Sequence, residues 1–503
     1  MVFLTALHRG AGLRRPHALL LSLGALLFCS AYWLDPLFTS NQNTYFAHAV
    51  ADLNPGRLGL DWFCGTADAT PFFTRLISFA LRLGGHRAVY GLTEATLAAY
   101  FVALAVCLGV AFDFRRRSTL ITIAIVTVIV IVHSVALNTF LPAGLSTLDL
   151  TAGVAEQYLL GHNLQPSMLG GVALLAAFAC FQMDRPLSTW IALGAATVLH
   201  PTYLAASLIL ACAFVATQMR LGHPLKRLAL PVALYVSLVC IAAVIALRVS
   251  GFPSASDLST AEHILIDWRI PHHANVALWG RQAQTALVVA VIPVAAFIVP
   301  DRRTRLVLLF AYGLGVALTL VVAAAHLQAA ALLFPWRISA VLAPVSCCGV
   351  VVGLADRLGR LVSRPRLAVV TAGVAAAVAL HLGWSGLQRT QYAFDHRDMG
   401  AEQLLAAHAR SEPAGARYLV PSEWENFRLQ AEAPIVVDVK SNPYRPRDVI
   451  EWFARVEEVR SLYQASATDC SRWAAFAIHV AASDAVVKAH ALDSPTAQPS
   501  HAD

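Results

Sequence analysis

The sequence predicts a polytopic α-helical membrane protein of about eleven transmembrane helices with a small C-terminal extracytoplasmic α/β domain. Three observations predict it. The 503 residues are 57% hydrophobic and only 13% charged, with a mean hydropathy of +0.61, whereas a soluble domain carries about 25% charged residues. Apolar runs near bilayer-spanning length recur along the chain. Between them, arginines gather in short turns, at Arg14-Arg15, Arg115 to Arg117, Arg220 to Arg227, Arg302 to Arg305 and Arg357 to Arg366, the pattern of cytoplasmic loops. That clustering accounts for the net charge of +7. No basic surface interleaved with aromatics is present, so no nucleic-acid partner is expected.

Taken in order, residues 1–16 are a cytoplasmic N-terminus and 17–34 an uncleaved first helix, since no small-residue cleavage site follows it. Further runs lie at 94–112, 118–138, 167–183, 187–200, 203–219, 228–248, 282–300, 304–324, 335–354 and 367–385. The pair at 187–200 and 203–219 is short and broken at His200-Pro201, where proline interrupts the backbone ladder. Counting it as two helices keeps every basic turn on one side. The outer side then receives loops 35–93, 139–166 and 249–281, and the C-terminal segment 386–491. In that segment "MGAEQLLAAHARS" and "PRDVIEWFARVEEVRSL" have helical spacing, while "ARYLVP", "APIVVDVK" and "FAIHVAA" read as strands of a βαβ-type sheet. Residues 492–503 read as a disordered tail. Of nine cysteines, only Cys64 and Cys470 fall outside the membrane, where a disulfide is chemically allowed. No internal repeat of the kind that builds common transporters is present. High alanine and arginine usage suits a GC-rich bacterium, hence its inner (cytoplasmic) membrane.

The chemistry concentrates on the outer side. The first outer loop, "SNQNTYFAHAVADLNPGRLGLDWFCGTADATPFF", carries Asp52, Asp61 and Asp68. Loop aspartates ordinarily cap turns, and Asp68 fits that reading. Asp61 lies between bulky apolar residues, where a carboxylate needs a partner or a job; it is a candidate general base or metal ligand. Asp149 and Glu156 in the second outer loop would share one face of a helix, as further acid/base candidates or as part of an interfacial helix. The third outer loop contains "DWRIPHHANVALWG", in which Arg269, His272 and His273 are phosphate-binding or acid candidates. Adjacent histidines would point apart and make a poor metal pair. Arg337, in "LLFPWRIS", sits on the side without basic turns, where an arginine at membrane depth faces a cavity or an anion and its fork suits phosphate.

One long outer loop after the first helix, many further helices and a terminal outer α/β domain together resemble GT-C-type glycosyltransferases, which transfer sugars from polyprenyl-phosphate carriers. Their first outer loop has an acidic pair, a Tyr, then "A..L..G....D" and a Pro. Here Tyr45, Ala49, Leu53, Gly56 or Gly59, Asp61 and Pro71 match. Over nearly the whole chain the sequence is more similar still to a group of bacterial membrane proteins sharing "QNTY", "DWF", "R-x-PHH", "PWR" and "FR…PIVVDVKSNPY…EWFARV". The resemblance implies an inverting transferase acting on a lipid-phosphate sugar at the outer face. Arg337, Arg269 and His272 would hold the phosphate, and Asp61 would serve as base or metal ligand, with a divalent cation left open. Where the family has its acidic pair, this chain has Asn41, Gln42 and Asn43, and amides do not accept that proton. They would instead bond sugar hydroxyls, with Asp61, Asp149 or Glu156 supplying the base. The alternatives are a non-catalytic lipid-binding or envelope-assembly protein of this architecture and, third, a transporter.

Overall fold

The computed structural model describes residues 15–113, 119–134, 149–361, 365–397, 400–469, 477–480 and 487–490. Arg14, Arg115 to Arg117, Arg364, Cys470, the start of the second outer loop and the tail from residue 492 lie outside these. The described residues are mostly helical, and each of the eleven apolar runs carries a helix. These are α1 (Arg15–Ala31), α2 (Pro71–Ala111), α3 (Thr119–His133), α4 (Pro166–Gln182), α5 (Pro186–Leu199), α6 (Leu204–Arg220), α7 (Ala229–Ser250), α8 (Ala283–Ile298), α9 (Arg302–Ala324), α10 (Ile338–Leu361) and α11 (Pro365–Asp395). Helices suit such runs because each satisfies its own backbone where no water is at hand. By length and composition, five are able to cross a membrane: those within Pro71–Ala111, Pro201–Arg220, Leu225–Ser250, Arg302–Ala324 and Gln328–Leu358. Five more apolar helices are shorter.

The chain divides into two compact units. The first comprises residues 1–34, 90–246 and 265–393. There α4 and α5 form a hairpin, α10 packs on α8 and α3, α9 on α6 and α8, and α1 on α3. Small residues permit the closest approaches: a Cβ at Gly386 of α11 would collide with the Ser30 and Ala31 carbonyls of α1. The turn before α9 is structural. Asp301 caps α9 by accepting from the Thr304 N–H at 2.6 Å, and Arg303 donates to the Phe181 carbonyl at the end of α4.

The second unit comprises residues 35–89, 247–264 and 394–503, so the C-terminal segment folds together with the first outer loop and with 247–264. Its helices are α12 (Ala401–Ser411), α13 (Phe427–Ala431) and α14 (Pro446–Asp469), around a core of Leu405, Tyr418, Val420, Phe427 and Ile435. The first arm of α2 belongs here too. Gly85, at φ +59°, breaks that helix in a conformation that suits only glycine.

The sheet departs from the expected βαβ form. Strands β1 (Arg417–Leu419), β2 (Ala477–Val480) and β3 (Val487–His490) pair antiparallel in the order β1-β2-β3. "APIVVDVK" makes only a single parallel bridge, Tyr418 with Ile435. Two contacts explain it: the Ile435 N–H donates to the sequence-distant Asp61 carboxylate at 2.9 Å, and the Asp438 side chain turns the chain by accepting from the Lys440 and Ser441 N–H groups.

Candidate functional site

In the second unit, the first-loop candidates are consumed by structure. Asp61 is buried. Its Oδ1 accepts from the Cys64 N–H (3.2 Å), and its Oδ2 from Arg428 Nε (3.1 Å) and the Ile435 N–H. Arg428, also buried, donates its Nη1 to Asp438, and its guanidinium lies 5.1 Å from the Phe63 ring centroid. The Arg428 guanidinium is thus paired with two carboxylates in low dielectric, and they hold its pKa above the usual value despite burial. Burial and Asp61 push the Cys64 thiol up. A carboxylate so occupied has no face toward a reactant, and the base or metal-ligand role expected of Asp61 gives way to that of an ion-pair hub.

The amide triplet behaves alike. Gln42 Oε1 accepts from the Phe38 N–H at 2.7 Å, while Asn43 Nδ2 donates to the Ser40 carbonyl (3.1 Å) and to Asn426 Oδ1 (2.8 Å). Both are buried, whereas Asn41 is exposed. Tyr45 packs edge-on against Phe73 at 6.4 Å. Gln42 and Asn43 are therefore bonded within their own unit, and Tyr45 is half-buried.

In the first unit, the structure gathers Arg269, His272, His273 and Arg337. Arg269 ends a π-helical turn, Ile264–Arg269, a form that recurs at functional sites. The next turn, Pro271–Ala274, carries both histidines. Their rings lie side by side, centroids 4.0 Å apart, where divergent directions were expected. His273 Nδ1 meets the Ala155 carbonyl at 2.7 Å, and its own carbonyl accepts from Trp336 Nε1 at 3.0 Å. Burial, with His272, Arg337 and Arg269 close by, lowers the His273 pKa to about 4.

Arg337 closes the short turn Pro335–Arg337. Phe334, just before it, takes a left-handed φ of 47°, uncommon for a bulky residue. Strain of this kind in a non-glycine residue clusters at ligand sites. Arg337 Nε donates to Gln157 Oε1 at 2.5 Å and Nη1 to Thr202 Oγ1, and the guanidinium lies 5.2 Å from the Tyr203 ring and 4.9 Å from the Phe334 ring. Buried His200 stands edge-on to Tyr203 at 5.8 Å. The sequence singles out "VLHPTY" only for its His-Pro break; the same break positions Thr202 and Tyr203. Gln157 carries no such signal.

The second-loop candidates are not on a helix. Asp149 Oδ1 accepts from the Thr151 N–H (2.7 Å), Thr151 Oγ1 (2.7 Å) and the Ala152 N–H (3.2 Å), a local turn that competes with helix formation. Glu156 has a φ of 53° and is exposed. Gly153 lets this loop press onto the start of α10, where a Cβ would strike Ser339 and Ala340. Among the described residues, no three His, Cys, Asp or Glu side chains group as a metal site.

Residues 401–459 match a protein-family model described as a domain of unknown function (DUF6798). No curated protein and no solved structure matches the chain.

Proposed function

We propose that the protein is an integral, glycosyltransferase-like membrane protein that holds the phosphate of a polyprenyl-linked sugar at the outer face of a bacterial inner membrane. Arg337, Arg269, His272 and His273 form the phosphate site. One observation supports this above all: four cationic or protonatable side chains from two distant segments, 264–274 and 335–337, lie close together, and contacts orienting Arg337 at Nε and Nη1 are an amide oxygen and a hydroxyl. The planar fork so oriented suits a phosphate monoester or diester. A positive site there would also stabilise a departing lipid phosphate during transfer.

A second reading, a lipid-binding or assembly protein without turnover, draws support from the second unit. There the amides replace the acidic pair and Asp61 is sealed in its ion pair. Transport remains the third reading.

Native mass spectrometry of the purified protein with undecaprenyl phosphate tests the site. Retention by the wild type, with loss in Arg337→Gln and Arg269→Gln, is expected. Retention unchanged in both variants rejects the site. Sugar transfer from a polyprenyl-phosphate sugar then separates the first reading from the second.

A further inference from the structure

A cavity of about 300 Å³ lies within the first unit, beside the second outer loop. Tyr32, His133, Asp149, Thr151, Tyr158 and His162 are among its lining residues. That volume is at the lower end for small-molecule sites. It has room for a single ring.

Among the described lining residues Asp149 contributes the one carboxylate. All its side-chain hydrogen bonds among the described residues go to Oδ1, from Thr151 and Ala152. Its backbone is clamped by Gln284 of α8, whose Oε1 accepts from the Asp149 N–H (3.1 Å) and whose Nε2 donates to the Asp149 carbonyl (2.8 Å). The carboxylate is thus held in place with Oδ2 to spare. His162 is held as firmly. Its Nδ1 meets the Trp33 carbonyl at 2.8 Å; a carbonyl only accepts, so Nδ1 carries the proton and Nε2 is left as an acceptor in the neutral ring. That ring stacks against Trp33 (4.7 Å) and Tyr32 (5.4 Å).

The lining therefore offers a carboxylate oxygen, an imidazole nitrogen and the hydroxyls of Tyr158 and Thr151, next to aromatic faces. Hydroxyl groups that both donate and accept, on a ring with an apolar C–H face, match that set. A cation would meet only one carboxylate. We infer that the cavity is a pocket for one neutral sugar ring, with Asp149 accepting from its hydroxyls. The same loop also supplies Ala155 and Gln157 to the cationic cluster, which puts sugar and lipid phosphate on one scaffold. The pocket stands on its own lining; its part in glycosyl transfer rests on the phosphate-site reading above.

Saturation-transfer NMR on the full chain in nanodiscs tests it, with methyl glycosides of glucose, mannose, galactose, N-acetylglucosamine and arabinofuranose, and with choline as competitor. At least one glycoside should receive saturation from the wild type. Asp149→Asn, whose amide oxygen preserves the Thr151 turn, should weaken it on the order of tenfold or more, as for a lost bond to a charged acceptor. Tyr158→Phe should weaken it less, and carries the test if Asp149→Asn fails to fold. No saturation of any glycoside, binding indifferent to these substitutions, or displacement by choline overturns the pocket. Undecaprenyl phosphate retention on the same preparations reports separately. Retention without glycoside binding sinks the pocket alone, and glycoside binding without retention sinks the phosphate site alone.

Discussion

Arg428 and Arg337 make an instructive pair. Both are withdrawn from solvent, both lie near aromatic faces, and both have their guanidinium nitrogens oriented by side chains. Arg428, fully buried, is answered by two carboxylates, Asp61 and Asp438. Arg337, half-buried, is oriented by Gln157, Thr202 and two rings. Burying a charge demands compensation, and compensation by opposite charge leaves nothing for a ligand. Beside Arg337, burial first and then the neighbouring His272, Arg337 and Arg269 hold His273 neutral over most of the physiological range. The first arginine is architecture, and the second is the one proposed to meet a phosphate.

The largest expected effect breaks the architectural side of this comparison. Arg428→Met strands two buried carboxylates and should cost about 3–5 kcal/mol in denaturant unfolding. Adding Asp61→Asn and Asp438→Asn should recover part of that loss; no recovery would show that packing, and not charge, holds the hub. Arg337→Met leaves neutral partners behind and should cost about 1–2 kcal/mol while abolishing lipid-phosphate retention. Equal stability losses at both arginines would dissolve the distinction.

Acidity sharpens the second half. His273 has a folded pKa of about 4, against about 6.5 in an unfolded chain. Between those values the unfolded chain binds more protons, so stability rises with pH there. The unfolding temperature should fall as pH drops from about 6.5 toward 4 and level off below. His273→Asn, which keeps a donor for the Ala155 carbonyl, should flatten this dependence; an unchanged profile would mean that His273 does not feel the cluster.

The smallest effect concerns Arg57, whose guanidinium donates to the Ala409, Arg410 and Glu412 carbonyls at the end of α12 and to that of Glu432. A cation at a helix C-terminus typically contributes a fraction of a kcal/mol to about 2 kcal/mol, so Arg57→Ala should cost about 1 kcal/mol by thermal unfolding.

What the sequence by itself determined is what neighbouring residues carry. Apolar runs favour helix wherever they occur, so each of the eleven carries a helix among the described residues, and five helices are long and apolar enough to cross a membrane. The amphipathic segments of α12 and α14 follow for the same reason. Arg269, His272, His273 and Arg337 were legible as residue types on the side without basic turns. Their convergence was not, because the π-helical turn, the strained Phe334 and the partners Gln157 and Thr202 come from distant segments. Tertiary structure also decided between a job and a partner for Asp61. Arg428 is 367 residues away along the chain, and no local pattern encodes a contact that exists only when the chain returns. The same holds for Asp149. Seven-residue spacing from Glu156 suggests a helix face, but the Thr151 turn and the Gln284 clamp remove the helix and leave the carboxylate oxygen facing a cavity. Local period sets secondary structure; which charges cancel and which stay open depends on the long-range packing that brings them together.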